Sequence, residues 1–132
     1  MEIDHLTIRV RDYAAGKAFY EQALGPLGFV VRLDWPDKRK VFFGLEHRPS
    51  SLWLTESAAS GRVEVSLAAV EPEAVDAFHR AAVSAGARTE YAPGIRPEYS
   101  REYYAARVLD PDGNALEAVF RGAVEARRPL AA

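Results

Sequence analysis

Glu117 is the side chain in this sequence that most needs a chemical explanation. It lies within an otherwise apolar run from Ala115 to Phe120. Strand alternation places it on one face with Val119. Because burying an unpaired charge is costly, this carboxylate requires a partner in the folded protein.

The turn before this run predicts how the partner is supplied. Residues 110–114 read Asp-Pro-Asp-Gly-Asn. The proline presets one backbone dihedral, and the glycine and asparagine tolerate positive φ, so a tight antiparallel hairpin is favoured. We interpret Asp110 and Asp112 as turn residues. If the turn closes symmetrically, Arg107 lies directly across from Glu117 on the same face, where it could form a bidentate ion pair.

An internal repeat predicts which residues share the face of Glu117. An offset of 59 residues aligns His5 with Glu64 and Phe19 with Phe78. Each copy reads as a strand, a helix and three strands, over residues 2–56 and 62–120. In the opening strand of the first copy, alternation places His5, Thr7 and Arg9 on the more polar face. Arg9 could neutralise Glu64 as Arg107 neutralises Glu117.

The predicted elements follow the apolar periodicity. Asp12 is the expected N-cap of a helix that ends near Leu24, and Pro72 is expected in the first turn of the second helix. We predict solvated loops over residues 34–40 and 93–99. The other predicted strands of the first copy cover residues 29–31, 41–45 and 52–55.

Composition limits the classes of function. The chain has 132 residues, is 48% hydrophobic and has a net charge of −2, so one domain is expected over residues 1–120, followed by a tail. The charge does not indicate nucleic-acid or membrane-surface binding. The chain has no cysteine, which excludes thiolate chemistry and disulfides. No signal peptide or membrane-spanning run is evident, so a cytoplasmic protein is expected.

Three segments carry a resemblance to a known family. They are residues 5–8 (His-Leu-Thr-Ile), residues 18–21 (Ala-Phe-Tyr-Glu), and residues 110–117, which end in Glu117. Together they resemble the vicinal oxygen chelate superfamily, which includes glyoxalase I, extradiol dioxygenases, fosfomycin-thiol transferases and bleomycin-binding proteins. The resemblance implies an α+β fold in which two βαβββ modules form a curved sheet around a cavity.

The resemblance also implies a set of site residues. The family's metal-dependent members take ligands from four positions, which correspond here to His5, Trp53, Glu64 and Glu117. Trp53 stands where glyoxalase I has glutamate, and Glu64 stands where the family usually has histidine. The implied ligands of a divalent metal (Mn²⁺, Ni²⁺, Fe²⁺, Mg²⁺ or Zn²⁺) are therefore His5, Glu64 and Glu117. The residues expected to contact substrate are Thr7, Arg9, Trp53, Tyr104 and Arg107.

Two classes of function follow from this set. In the first, a glyoxalase-like lyase or isomerase uses a metal and the carboxylates of Glu64 and Glu117 to transform a small oxygen-rich substrate. In the alternative, the protein binds a small molecule or antibiotic without metal, and Arg9 and Arg107 neutralise the carboxylates. A thiol transferase or dioxygenase is a weaker alternative. We also expect a homodimer, because an open curved sheet needs its edge covered.

Overall fold

Two successive copies of one module make up the fold. The computed structural model describes residues 4–48, 50–58 and 61–122. The first module contains β1 (Leu6–Val10), α1 (Tyr13–Leu24), β2 (Phe29–Trp35), β3 (Lys40–Leu45) and β4 (Leu52–Glu56). The second contains β5 (Glu64–Ala68), α2 (Pro72–Ser84), β6 (Arg88–Ile95), β7 (Tyr104–Leu109) and β8 (Ala115–Phe120). The α+β architecture of two βαβββ modules is confirmed.

Each module forms its own four-stranded sheet, and the two sheets have the same strand order. The orders are β1-β4-β3-β2 and β5-β8-β7-β6. In both sheets the first strand runs parallel to the last, and the remaining pairs are antiparallel. Thr7 pairs with Trp53 in the first sheet, and Ser66 pairs with Glu117 in the second. Trp53 and Glu117 therefore occupy equivalent positions of the repeat.

Both helices pack on one side of the sheets. A single apolar core joins the modules and includes Ile8, Phe43, Phe78 and Leu116. Helix α1 lies so close to β1 that a Cβ added to Gly16 would be 3.0 Å from Cγ2 of Val10. We call the opposite side of each sheet, turned away from the helices, the open face. His5, Thr7, Arg9, Glu64, Ser66 and Glu117 belong to it.

Helix α1 begins as the sequence predicts. The Asp12 side chain accepts a hydrogen bond of 2.8 Å from the backbone N–H of Ala15, which satisfies one of the free donors of the first turn. The buried positions of the helix include Phe19, Tyr20 and Ala23. No helix among the described residues is long and apolar enough to cross a membrane.

Two predicted loops are wrong in part. Strand β2 continues through Trp35, because Asp34 is held by Lys17 Nζ at 2.8 Å and pairs across the sheet with Val41. Strand β6 continues through Ile95 and contains Pro93. Proline is tolerated there because β6 is an edge strand with register shifts, so its missing N–H costs no ladder bond.

The sheet edges and the chain terminus bear on two further predictions. The edge strands are β1 and β2 in the first sheet and β5 and β6 in the second, and Val30, Trp35 and Ile95 on β2 and β6 are exposed. The homodimer that would cover such edges stays a prediction, which light scattering of the purified protein would test. The predicted tail, residues 121–132, lies outside the described residues beyond Gly122.

The turn of residues 110–114 joins the two modules. The buried Asp110 carboxylate accepts bonds from the backbone N–H groups of Asp112 and Asn114 and from the Asn114 side chain. It also accepts a 2.6 Å bond from the hydroxyl of Tyr20 on α1. The Asn114 side-chain oxygen accepts the backbone N–H of Val63. The residues predicted only to shape a turn thus also fix helix α1 to the second module.

We predict that Tyr20→Phe lowers the free energy of unfolding by about 2 kcal/mol, since it removes a bond to a buried charged acceptor. Tyr13→Phe is the matched control: Tyr13 lies on the same helix, and its hydroxyl donates to the half-exposed Asp34 within one module. Its expected loss is smaller. Urea denaturation measures both, and equal losses would show that the bond between the modules has no special weight.

Candidate functional site

Glu117 finds its partners among hydroxyl groups. The side chain is 2% exposed. Its Oε1 accepts bonds of 2.6 Å from Ser66 Oγ and 2.6 Å from the Tyr103 hydroxyl, and its Oε2 accepts the hydroxyl of Tyr91. Three donors therefore take up most of the acceptor capacity of one carboxylate.

These contacts determine the protonation of the cluster. Burial raises the pKa of Glu117, but the bonds from Ser66, Tyr103 and Tyr91 and the charge of Arg107 together hold it below its ordinary value. Burial, reinforced by the bond to Glu117, raises the pKa of Tyr103 to about 12 and raises the pKa of Tyr91 as well. At neutral pH the carboxylate is therefore charged and both phenols remain donors.

Arg107 lies where the hairpin register predicts but makes different ion pairs. It is paired with Glu117 across β7 and β8, which confirms the register. Its Nη1, however, lies 3.9 Å from Oε1 of Glu64 and 3.7 Å from Oε2 of Glu90. The expected bidentate bond to Glu117 is not formed, because hydroxyl donors already surround that carboxylate. Arg107, rather than Arg9, is the cation beside Glu64.

His5 is held by a stacking contact and a hydrogen bond. Its ring lies on Trp53, with centroids 3.5 Å apart and planes 7° from parallel. Its Nδ1 is 2.8 Å from Oδ1 of Asp4. These two contacts fix the ring against β4 and leave Nε2 as its remaining polar atom.

The residues present do not fit a resident metal ion. In residues 4–48, 50–58 and 61–122, no group of three or more His, Asp or Glu side chains is arranged to hold one. Glu117 is engaged by three hydroxyls, and Glu64 lies beside the guanidinium of Arg107. A cation at that point would displace buried hydrogen bonds and meet a positive charge. Metal ligation by His5, Glu64 and Glu117 stays a prediction, and the described residues offer no preformed site for it.

Aromatic rings cross the open face of the first sheet from strand to strand. His5 precedes β1, Trp53 is on β4, Phe42 on β3 and Trp35 on β2, in the spatial order of the sheet. The centroid of Trp53 is 5.0 Å from that of Phe42, which is 5.5 Å from that of Trp35. We call these four residues the aromatic stripe. Lys38 Nζ lies 4.6 Å from the ring centre of Trp35, at the outer end.

The sequence predicts only half of this stripe. His5 and Trp53 are predicted site residues, whereas Trp35 falls in the predicted loop of residues 34–40 and Phe42 has no predicted role. The alternation of Phe42 with the core residues Val41 and Phe43 was the available signal, because it places Phe42 on the open face. Trp35, which is 41% exposed, joins the stripe because β2 is longer than predicted.

The remaining predicted substrate contacts divide between the two faces. Thr7 and Arg9 lie on the open face and line openings between β1 and residues 61–63, the segment just before β5. Tyr104 lies on the other side, where its hydroxyl donates to Asp76 of α2 at 2.6 Å. Its neighbour Tyr103 is the one beside Glu117, since successive strand residues point to opposite faces. Tyr104 therefore lies away from the open face, and its contact with substrate stays a prediction.

The two modules share a cavity near the start of β1. Its volume is about 370 Å³. Its polar lining includes His5, Glu64 and Ser66, and its apolar lining includes Phe29 and Leu67. Residues of both modules therefore border this cavity.

Residues 2–118 match the profile of the Glyoxalase/Bleomycin resistance protein/Dioxygenase superfamily. The chain belongs to this superfamily. The family resemblance inferred from the motifs of the sequence is thereby confirmed.

Solved structures of superfamily proteins share the fold. A glyoxalase/bleomycin resistance protein from Albidiferax ferrireducens T118 is 30% identical, with a TM-score of 0.74 over 90% of this chain and 98% of its own. A superfamily enzyme from Burkholderia phytofirmans PsJN is 23% identical, with a TM-score of 0.69 over 92% and 100%. Lactoylglutathione lyase from Agrobacterium tumefaciens is 21% identical, with a TM-score of 0.67 over 90% and 92%. The comparison with curated proteins finds no match.

We predict that Glu117→Gln lowers the free energy of unfolding by about 2 kcal/mol or more at pH 7, because an amide cannot accept all three hydroxyls. The depressed pKa fixes the sign of the pH dependence. The charged carboxylate stabilises the fold fully above its ordinary pKa and loses this effect as the pH falls through the folded-state value. The penalty of the substitution should therefore shrink on acidification.

Glu64→Gln is the matched control for this prediction. Glu64 lies on the adjacent strand, but its side chain is 75% exposed and its ion pair is long. We expect a change below about 0.5 kcal/mol. Denaturation at several pH values measures both variants, and a Glu117→Gln penalty that is constant with pH would contradict the assignment of a charged Glu117.

Proposed function

We propose that this protein binds a small planar aromatic molecule without a metal ion. The observation that carries the proposal is the aromatic stripe, which runs from His5, just before β1, across β4 and β3 to β2 and leaves Trp35 accessible. Aromatic faces and edges bind other rings by stacking and T-shaped contacts in addition to burying apolar area. The ligand would lie on the open face against Trp53 and Trp35.

The support for this site lies in how its rings are held. Phe42 is only 6% exposed and contacts both tryptophans edge to face, so it fixes the spacing between them. His5 covers one side of Trp53 by direct stacking. Rings held in this way lose little conformational freedom when a ligand binds, which favours affinity.

The same contacts argue against the metal-dependent lyase or isomerase as the first choice. Such an enzyme needs carboxylates open to a cation and to substrate. Here Glu117 accepts hydrogen bonds from three hydroxyls, and Glu64 lies near Arg107. Membership of the superfamily does not decide between the two, because one fold supports several functions. Sequestration of an aromatic antibiotic is one use that the superfamily description suggests for a site of this kind.

Intrinsic fluorescence offers a direct test, since the only two tryptophans of the chain both belong to the stripe. We predict that 2-naphthamide quenches this fluorescence in the presence of excess EDTA, while its fully saturated analogue does not. Trp53→Ala should weaken binding about three- to tenfold, which corresponds to the loss of one aromatic contact.

Tyr99→Ala is the control, because Tyr99 is an aromatic residue with 62% exposure on the second module, outside the stripe. The affinity of this variant for 2-naphthamide should equal that of the wild type. Equal weakening in the two variants, or quenching that requires an added divalent metal, would overturn the proposal.

A further inference from the structure

Two adjacent openings lie between β1 and residues 61–63, the segment just before β5. One, of about 270 Å³, is lined by Thr7, Arg9, Gly61, Arg62 and Val63. The other, of about 160 Å³, is also bordered by Arg9, Gly61 and Arg62, and in addition by Val10, Arg11, Ser57 and Asp112. Arg9 and Arg62, contributed by different modules, are thus common to both openings.

The arginines at these openings differ in how their charge is balanced. Arg11 is matched by Asp112, whose Oδ1 lies 3.8 Å from its Nε. Within the part of the chain that the structure describes, Arg9 and Arg62 have no ion pair and no hydrogen-bonded side-chain partner. Two unpaired guanidinium groups at one opening repel each other, and an anion between them would remove that repulsion.

The position of the pair relates it to the aromatic stripe. Arg9 is two residues beyond Thr7 on the same face of β1, and Thr7 is paired with Trp53. Two residues of strand correspond to about 7 Å. Arg62 lies over the turn that contains Gly113. A Cβ added to Gly113 would be 3.5 Å from Nε of Arg62. An anionic group at the arginines is therefore within reach of a ring stacked near Trp53.

We propose that Arg9 and Arg62 form an oxyanion subsite, so that the ligand of this protein is an aromatic molecule with a phosphate, sulfate or carboxylate substituent. Guanidinium groups suit this role because their planar fork binds two oxygens at once. The Thr7 hydroxyl at the same opening is a further donor. The aromatic part of this inference rests on the proposed function, whereas the oxyanion part rests on the arginine pair alone.

The experiment compares three probes by titration calorimetry: 2-naphthyl phosphate, the neutral 2-naphthamide, and inorganic phosphate. We expect the wild type to bind naphthyl phosphate at least tenfold more tightly than naphthamide, and to bind inorganic phosphate weakly. Arg9→Gln and Arg62→Gln should each reduce the affinity for naphthyl phosphate about tenfold, as expected for a bond to a charged group. The double variant should bind the two aromatic probes equally.

Arg80→Gln is the control for net charge, because Arg80 is an exposed arginine on α2, away from both openings. It should leave all three affinities unchanged. A wild type that does not prefer naphthyl phosphate, or a preference lost equally in Arg80→Gln, would overturn the oxyanion subsite.

The three probes also separate this inference from the proposed function. If phosphate binding depends on Arg9 and Arg62 but naphthamide does not bind, the subsite stands and aromatic recognition fails. If both aromatic probes bind equally and inorganic phosphate does not bind, aromatic recognition stands and the subsite fails.

Discussion

The need to satisfy one buried carboxylate organises the second module. Glu117 on β8 receives hydroxyl groups from Ser66 on β5, Tyr91 on β6 and Tyr103 immediately before β7. A single side chain thus connects β8, β5, β6 and the residue that precedes β7 across the open face. Removal of one donor would leave the buried carboxylate with an incomplete set of hydrogen bonds, so the network acts as a unit.

The two copies of the repeat use equivalent positions for different physical purposes. Trp53 stands where the second module has Glu117, and His5 stands where it has Glu64. The first module therefore presents a row of rings in stacked and edge-to-face contact, while the second presents hydrogen-bonded and ion-paired polar groups. Arg9 and Arg62 lie where the modules meet. This asymmetry is the reason that we favour binding of an aromatic anion over chemistry at a shared metal ion.

The sequence predicts the parts of the fold that depend on local rules. The two-residue period of the strands and the turn at residues 110–114 determine that Arg107 pairs with Glu117 and that His5, Thr7 and Arg9 share a face. The partners of Glu117 could not be predicted in this way. Tyr91 reaches the carboxylate from β6, whose register shifts twice, so its position follows from tertiary packing and not from alternation.

We infer that Glu117 is an internal structural carboxylate and not an open metal ligand. The most direct test of this role is carboxyl ¹³C NMR of metal-free protein during addition of substoichiometric Mn²⁺. We predict that the Glu117 carboxyl signal is not selectively broadened. The pKa of Glu117 should stay below its ordinary value throughout the addition. Selective broadening of the Glu117 and Glu64 carboxyl signals would contradict this role, because it would place a cation beside the carboxylate that the three hydroxyls contact.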